Sequence, residues 1–161
     1  MRFVDPLRPE TPMRRRLTSL LLFAASTALF AADGSFEMTV SMPRHGDLPL
    51  GWAHQGCSIR SLTLRNYPNR GDIEDARRKD PNDKSWLWWE FNVANRSARE
   101  CRMWLSVQVF DRRGNVVKAS DRKGSVSPGE TDDDIRVSTR MKTLDIAGAP
   151  KVRLRARIAL Q

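Results

Sequence analysis

His45 and His54 are the only imidazoles in 161 residues, and there is a single tyrosine. Proton-transfer chemistry usually draws on such groups, so the expectation is a protein that is not an enzyme. No serine sits in a Gly-x-Ser-x-Gly elbow, and no glycine-rich loop of the phosphate-cradling kind opens a helix. No catalytic residue and no cofactor is therefore assigned. Copper is the alternative that the residue types support. Met38, Met42, His45 and His54 fall within 17 residues, and thioether with imidazole is a donor set that suits copper. Against it, Met38 and Met42 keep strand spacing with Phe36 and Val40, which core packing explains equally well. Asp132, Asp133 and Asp134 are poor calcium ligands, because adjacent acids on a strand point to opposite faces.

The aromatic and arginine residues carry more information. In Trp86-Leu87-Trp88-Trp89-Glu90-Phe91-Asn92-Val93, alternation puts Leu87, Trp89, Phe91 and Val93 on one face and Trp86 and Trp88 on the other. Trp104 and Phe110 likewise oppose the apolar face of Met103, Leu105, Val107 and Val109. If 86–95 and 101–110 form a hairpin, the outward aromatics become neighbours, and with Arg153, Arg155 and Arg157 they make a candidate ligand face. The competing reading, which we favour, is that arginines lie over the indoles and the face satisfies itself. Asn95-Arg96-Ser97 is a glycosylation sequon in a eukaryotic secretory route and a polar turn otherwise.

What must position these residues begins with an address. Arg14, Arg15 and Arg16 precede a run without charge from Leu17 to Ala32, sixteen residues that are short for a span of about 20. A basic cluster, a short apolar stretch and small residues at its end match a secretory signal peptide over 1–32, cleaved near Ala28 to Ala32, with Met13 as the working start. The expected location is therefore periplasmic or secreted, with the membrane met only in transit. In an oxidising compartment, Cys57 and Cys101, the only two cysteines, are expected to pair. Lys and Arg total 28 against 19 Asp and Glu, giving a net charge of +9. Outside the cytosol the stripe of Arg153, Arg155 and Arg157 points to an anionic glycan or a protein partner in the envelope rather than to nucleic acid, against the favoured reading of a solvated strand face.

After residue 35 the hydrophobic period is two. Phe36–Met42, Cys57–Arg65, Trp86–Asn95, Met103–Phe110, Val116–Ser120, Ile135–Ser138 and Lys151–Leu160 read as strands, with turns at Arg112–Asn115 and Ser127–Glu130. The run from Cys57 to Arg65 leaves its buried face ambiguous. Residues 66–85 read as a long polar loop with one helical turn that Asp72 caps. No stretch keeps a helical period long enough for parallel crossovers, so the fold class is all-β, an antiparallel sandwich of about seven strands. The expected interior is Leu87, Trp89, Phe91, Val93, Met103, Leu105, Val107, Val109, Val152, Leu154 and Ile158.

Three stretches resemble bacterial immunoglobulin-like domains of the FxLYD kind, a fibronectin type III-like sandwich. They are Trp89-Glu90-Phe91-Asn92-Val93-Ala94-Asn95 with Arg96-Ser97, Val107–Asp111 with Gly114-Asn115-Val116-Val117, and Ser127-Pro128-Gly129-Glu130-Thr131. The resemblance spans residues 86–138, with Phe110 where the family usually has Tyr. It implies an immunoglobulin-like accessory or binding module over 33–161 without catalytic residues, and it transfers no site.

Overall fold

Alternation of apolar and polar residues dominates the described chain, and strands follow from it. The structure, a computed structural model, describes residues 34–131 and 133–161. The segment assigned as a signal peptide, and Asp132, lie outside the described residues. Eight strands and two short helices follow in order: β1 Ser35–Ser41, β2 Asp47–His54, β3 Cys57–Arg65, α1 Arg70–Arg78, β4 Lys84–Asn95, β5 Cys101–Phe110, β6 Val116–Val126, β7 Asp133–Lys142, α2 Thr143–Gly148 and β8 Lys151–Leu160. They form two four-stranded sheets, β1-β8-β5-β6 (sheet I) and β2-β3-β4-β7 (sheet II), with every pairing antiparallel. The sheets pack face to face, and all eleven residues expected in the interior are buried between them.

One strand more than expected is present, because β2 has no clean alternation. Pro49 and Gly51 interrupt it, and Gly51 takes φ 63° where the register slips between Pro49 and Trp52. A sheet edge tolerates this, since a proline there gives up no ladder hydrogen bond. Trp52, which the sequence leaves in a loop, is buried and stacks on Phe36 of β1 with ring centroids 5.7 Å apart. That stack joins the β1 and β2 edges of the two sheets. A second slip, between Ile59 and Ser61, accounts for the ambiguous face of β3. Cys57 and Ile59 point inward before it, and Leu62 and Leu64 point inward after it.

The 66–85 segment is more ordered than a loop with one helical turn. Asn69, not Asp72, caps α1: the Asp72 amide donates to Asn69 Oδ1 at 3.0 Å, and the Asn69 amide donates to Asp72 Oδ2 at 2.9 Å. This reciprocal box fixes the start of a nine-residue helix. Arg70–Glu74 and Lys79–Asp75 pair along its exposed face. Ala76 is its buried residue, and the helix packs against α2, which the sequence does not suggest.

Cys57 and Cys101 are joined as expected, and the bond crosses from β3 in sheet II to β5 in sheet I with Cα atoms 6.1 Å apart. Closing a loop of 44 residues restrains the unfolded chain by about 4 kcal/mol in the chain-entropy account. Asn95 lies beside this bridge, fully buried. Its Nδ2 donates to the carbonyls of Arg99 at 2.7 Å and Val126 at 3.0 Å, and its Oδ1 accepts from the Ser97 amide and hydroxyl. The sequon at Asn95-Arg96-Ser97 is thus structural, and its amide nitrogen is not presented for modification.

Candidate functional site

The aromatic face expected from the sequence divides in two. β4 and β5 belong to different sheets, so Trp86 and Trp88 lie on the outside of sheet II, and Trp104 and Phe110 on the outside of sheet I. The five-residue connection at 96–100 crosses between sheets instead of turning a hairpin. Trp86, Trp88, Trp104, Arg153, Arg155 and Arg157 therefore do not form one site.

On sheet II the exposed groups find each other. β7 places Arg136 and Arg140 beside β4, where the Arg136 guanidinium carbon lies 4.6 Å from the Trp88 ring centre and that of Arg140 lies 5.7 Å from Trp86. Glu90 sits between Arg136, at 2.7 Å, and Arg65 of β3, at 3.1 Å, with its side chain only 13% exposed. Partial burial pushes the Glu90 carboxyl upward. The hydrogen bonds from Arg65 and Arg136 and the two positive charges outweigh that and hold its pKa below the ordinary value. The arginines that cover these indoles come from β7 and not from β8, which the sequence reading did not identify. Their signal was there: Arg136 and Arg140 keep even spacing opposite Ile135, Val137 and Met141.

Sheet I keeps unused donors. Its register sets Arg157 beside Trp104 and Arg155 beside Ser106, with Glu37 of β1 on the other side of Arg155 and Asp121 of β6 beyond Ser106. Arg157 lies over the Trp104 ring at 5.7 Å, and Arg153 over Phe110 at 5.1 Å. Arg155 Nε donates to Glu37 Oε2 at 2.7 Å, and Arg153 Nε approaches Glu37 Oε1 at 3.3 Å. Among the described residues, no acceptor meets the Arg157 guanidinium, and Arg155 engages one only through Nε. Because Ser106 is small between larger neighbours, the face carries an open depression of about 690 Å³ around it. Glu37, Trp104, Ser106, Asp121, Arg155 and Arg157 line it with side chains of the outward register, and intervening residues such as Leu105 and Ala156 lie in its floor.

Basic side chains outnumber acids on this face as they do on sheet II, where Arg65, Lys84, Arg136, Arg140 and Lys142 stand against Glu90 and Asp134. Along the outward register of sheet I stand Lys151, Arg153, Arg155, Arg157, Arg102 and Lys123 against two acids, Glu37 and Asp121. This arrangement suits a ligand with an anionic group and a ring or apolar face to lay on an indole.

The four residues of the copper alternative are not brought together. Met42 is buried in the core and Met38 packs against it. His45 is exposed in the β1–β2 connection, whereas His54 ends β2 beside Gly34. At about 3.3 Å per residue, β2 holds the two imidazoles roughly 20 Å apart, too far to share an ion. Among the described residues, no three His, Cys, Asp or Glu side chains are grouped to hold a metal. Asp133 and Asp134 open β7, where Asp134 lies against Asn92 at 3.4 Å. Among the described residues, no helix is long and apolar enough to cross a membrane.

No protein-family model and no curated protein matches the chain. Among solved structures, the enzymatically active domain of bacteriophage CBA120 tailspike protein 4 aligns over 84% of this chain and 20% of its own, with 9% identity and a TM-score of 0.22. The chain thus spans about a fifth of that protein, and a likeness so slight carries no argument about fold or function.

Proposed function

We propose that this chain is an exported, non-catalytic binding or accessory module of immunoglobulin-like type, periplasmic or secreted in a bacterium, and that it meets an anionic partner on the outside of sheet I. The observation that carries this reading is the depression on the outside of sheet I. On sheet II Glu90 holds Arg65 and Arg136, and Arg136 and Arg140 lie over Trp88 and Trp86. On sheet I six basic side chains face two acids, and a depression with an indole wall opens among them. Solvated arginines that already touch an acceptor add little to binding, whereas unused guanidinium forks offer paired donors to a carboxylate or phosphate.

Export is supported by the Arg14–Arg16 cluster ahead of a short apolar run, and by a cross-sheet disulfide of the sort kept in oxidising compartments. The immunoglobulin-like assignment is supported by the positions of the three resembling stretches, in β4, in the β5–β6 hairpin and in the β6–β7 turn of a two-sheet sandwich. A second reading, a structural envelope component with no ligand, draws its support from the closed network on sheet II. Retention on a column of immobilised polyanion distinguishes them. A double substitution Arg155→Ala with Arg157→Ala should abolish salt-sensitive retention, and Arg136→Ala with Arg140→Ala should leave it. Equal loss from both pairs would mean that only net charge is sensed, and the site reading would fall.

A further inference from the structure

The depression on sheet I is not uniformly basic, and its two acids restrict what fits there. Glu37 joins Arg153 and Arg155 through separate carboxylate oxygens, at 3.3 and 2.7 Å, although its own side chain is half exposed. The arginine pair is therefore already arranged around a carboxylate. On the far side of Ser106 stands Asp121, exposed, with no hydrogen bond or ion pair among the described residues. A densely charged sulfate or phosphate polymer laid here would meet both acids, and like charges at short range cost binding. A ligand with one carboxylate per unit and hydroxyls elsewhere meets no such penalty. Its carboxylate takes the arginines, its hydroxyls donate to Asp121 and Ser106, and its ring lies against Trp104. Trp104 and Arg155 are diagonal neighbours across β5 and β8, roughly 7–8 Å apart at Cβ, so one sugar ring can touch the indole while its carboxylate reaches the guanidinium.

Resting on the anionic-partner reading above, we propose that the sheet I depression takes a uronate, a pyranose bearing a carboxylate, and that Glu37 is the internal rival of that carboxylate for Arg153 and Arg155. Glu37 then sets affinity without belonging to the ligand-gripping set. It lowers binding of every anion, and it lowers binding of multiply charged ones most. Removing its charge weakens its hold on the Arg155 Nε, so that an incoming carboxylate displaces it more readily, while the amide keeps the side chain's shape.

The test is calorimetric titration of the purified protein with oligogalacturonate, with its neutral methyl ester, and with a sulfated oligosaccharide of similar length, at low and at moderate salt. Wild type should bind the uronate and not the ester. Glu37→Gln should bind it about threefold more tightly, the factor that corresponds to one exposed ion pair. Arg155→Ala should lose binding, and Trp104→Ala should weaken it without changing its salt dependence. Should Glu37→Gln bind no better than wild type while Arg155→Ala still loses binding, Glu37 is a strut for the arginines and the rivalry is wrong. Equal binding of the ester, or preference for the sulfated sugar, overturns the uronate assignment, and in the second case leaves the anionic-partner reading standing. If neither anionic sugar binds wild type or Glu37→Gln, both readings fall together.

Discussion

Asn95 shows how much one polar side chain can hold when it is buried. Its amide ties the 96–100 crossing to the end of β6, and its backbone amide donates to the Glu130 carbonyl at 2.6 Å in the β6–β7 turn. Asn95→Ala would leave the buried Val126 carbonyl and the Ser97 amide short of a partner and loosen the hold on the Arg99 carbonyl. The expected loss is about 3 kcal/mol, seen as a lower urea midpoint with an unchanged slope. Glu90 offers a test by pH. Its carboxyl titrates lower in the folded protein than its ordinary value of 4.5, so the folded state prefers the charged form. The stability this contributes is complete above pH 4.5 and is lost as pH falls through the lowered value. Glu90→Gln should therefore flatten the decline in stability below pH 4.5 and leave the shape of the profile above neutrality alone. If the two profiles run parallel throughout, the Arg65–Glu90–Arg136 arrangement has no energetic role. Asp111 is held low for a related reason. The amide and side chain of Asn115, with the Arg113 and Gly114 amides, surround its carboxylate in the β5–β6 turn.

At the level of elements, legibility followed the regularity of the pattern. β1, β5, β7 and β8 alternate throughout and β4 as far as Val93, and their inward residues are those the period selects. β2 breaks its pattern with a proline and a positive-φ glycine, so only its position at an edge, which no local pattern reveals, makes it a strand. β3 hides its face because a bulge changes which residues point inward halfway along. The turn at Ser127–Glu130 was readable from chemistry alone: Pro128 presets φ, Gly129 takes φ 80°, and the Glu130 amide donates to the Ser127 carbonyl. α1 was visible by its charges but misplaced by three residues, since Asn69 and Asp72 both have the chemistry of a cap. Asn69→Ala should destabilise α1 by about 1 kcal/mol. Amides of 70–78 should then exchange faster, with the strand amides unaffected; uniform acceleration would show that the helix and the sandwich open as one unit.

Across the whole molecule, the misjudged feature was the partner of β5. A five-residue connection between two strands fits a hairpin and a crossing equally well, and only the hairpin puts the outward aromatics on one face. The disulfide carries the correction. If β3, β4 and β5 lay in one sheet, Cys57 and Cys101 would stand two strands apart, about 9.6 Å, beyond the reach of a disulfide. Placing β4 and β5 in opposite sheets satisfies the bond, and it also puts Trp86 and Trp88 on one face and Trp104 on the other. The net charge of +9 gives no hint of this division, because both faces are rich in arginine and each holds two of them on one glutamate; what differs is the depression around Ser106 on sheet I. The claim that function resides on sheet I is tested most directly by the five indole N–H resonances during titration with an acidic oligosaccharide. The Trp104 signal should move together with backbone amides near Glu37, Ser106 and Arg155, while Trp86 and Trp88 stay in place. Movement of Trp86 and Trp88 with a stationary Trp104 would contradict it.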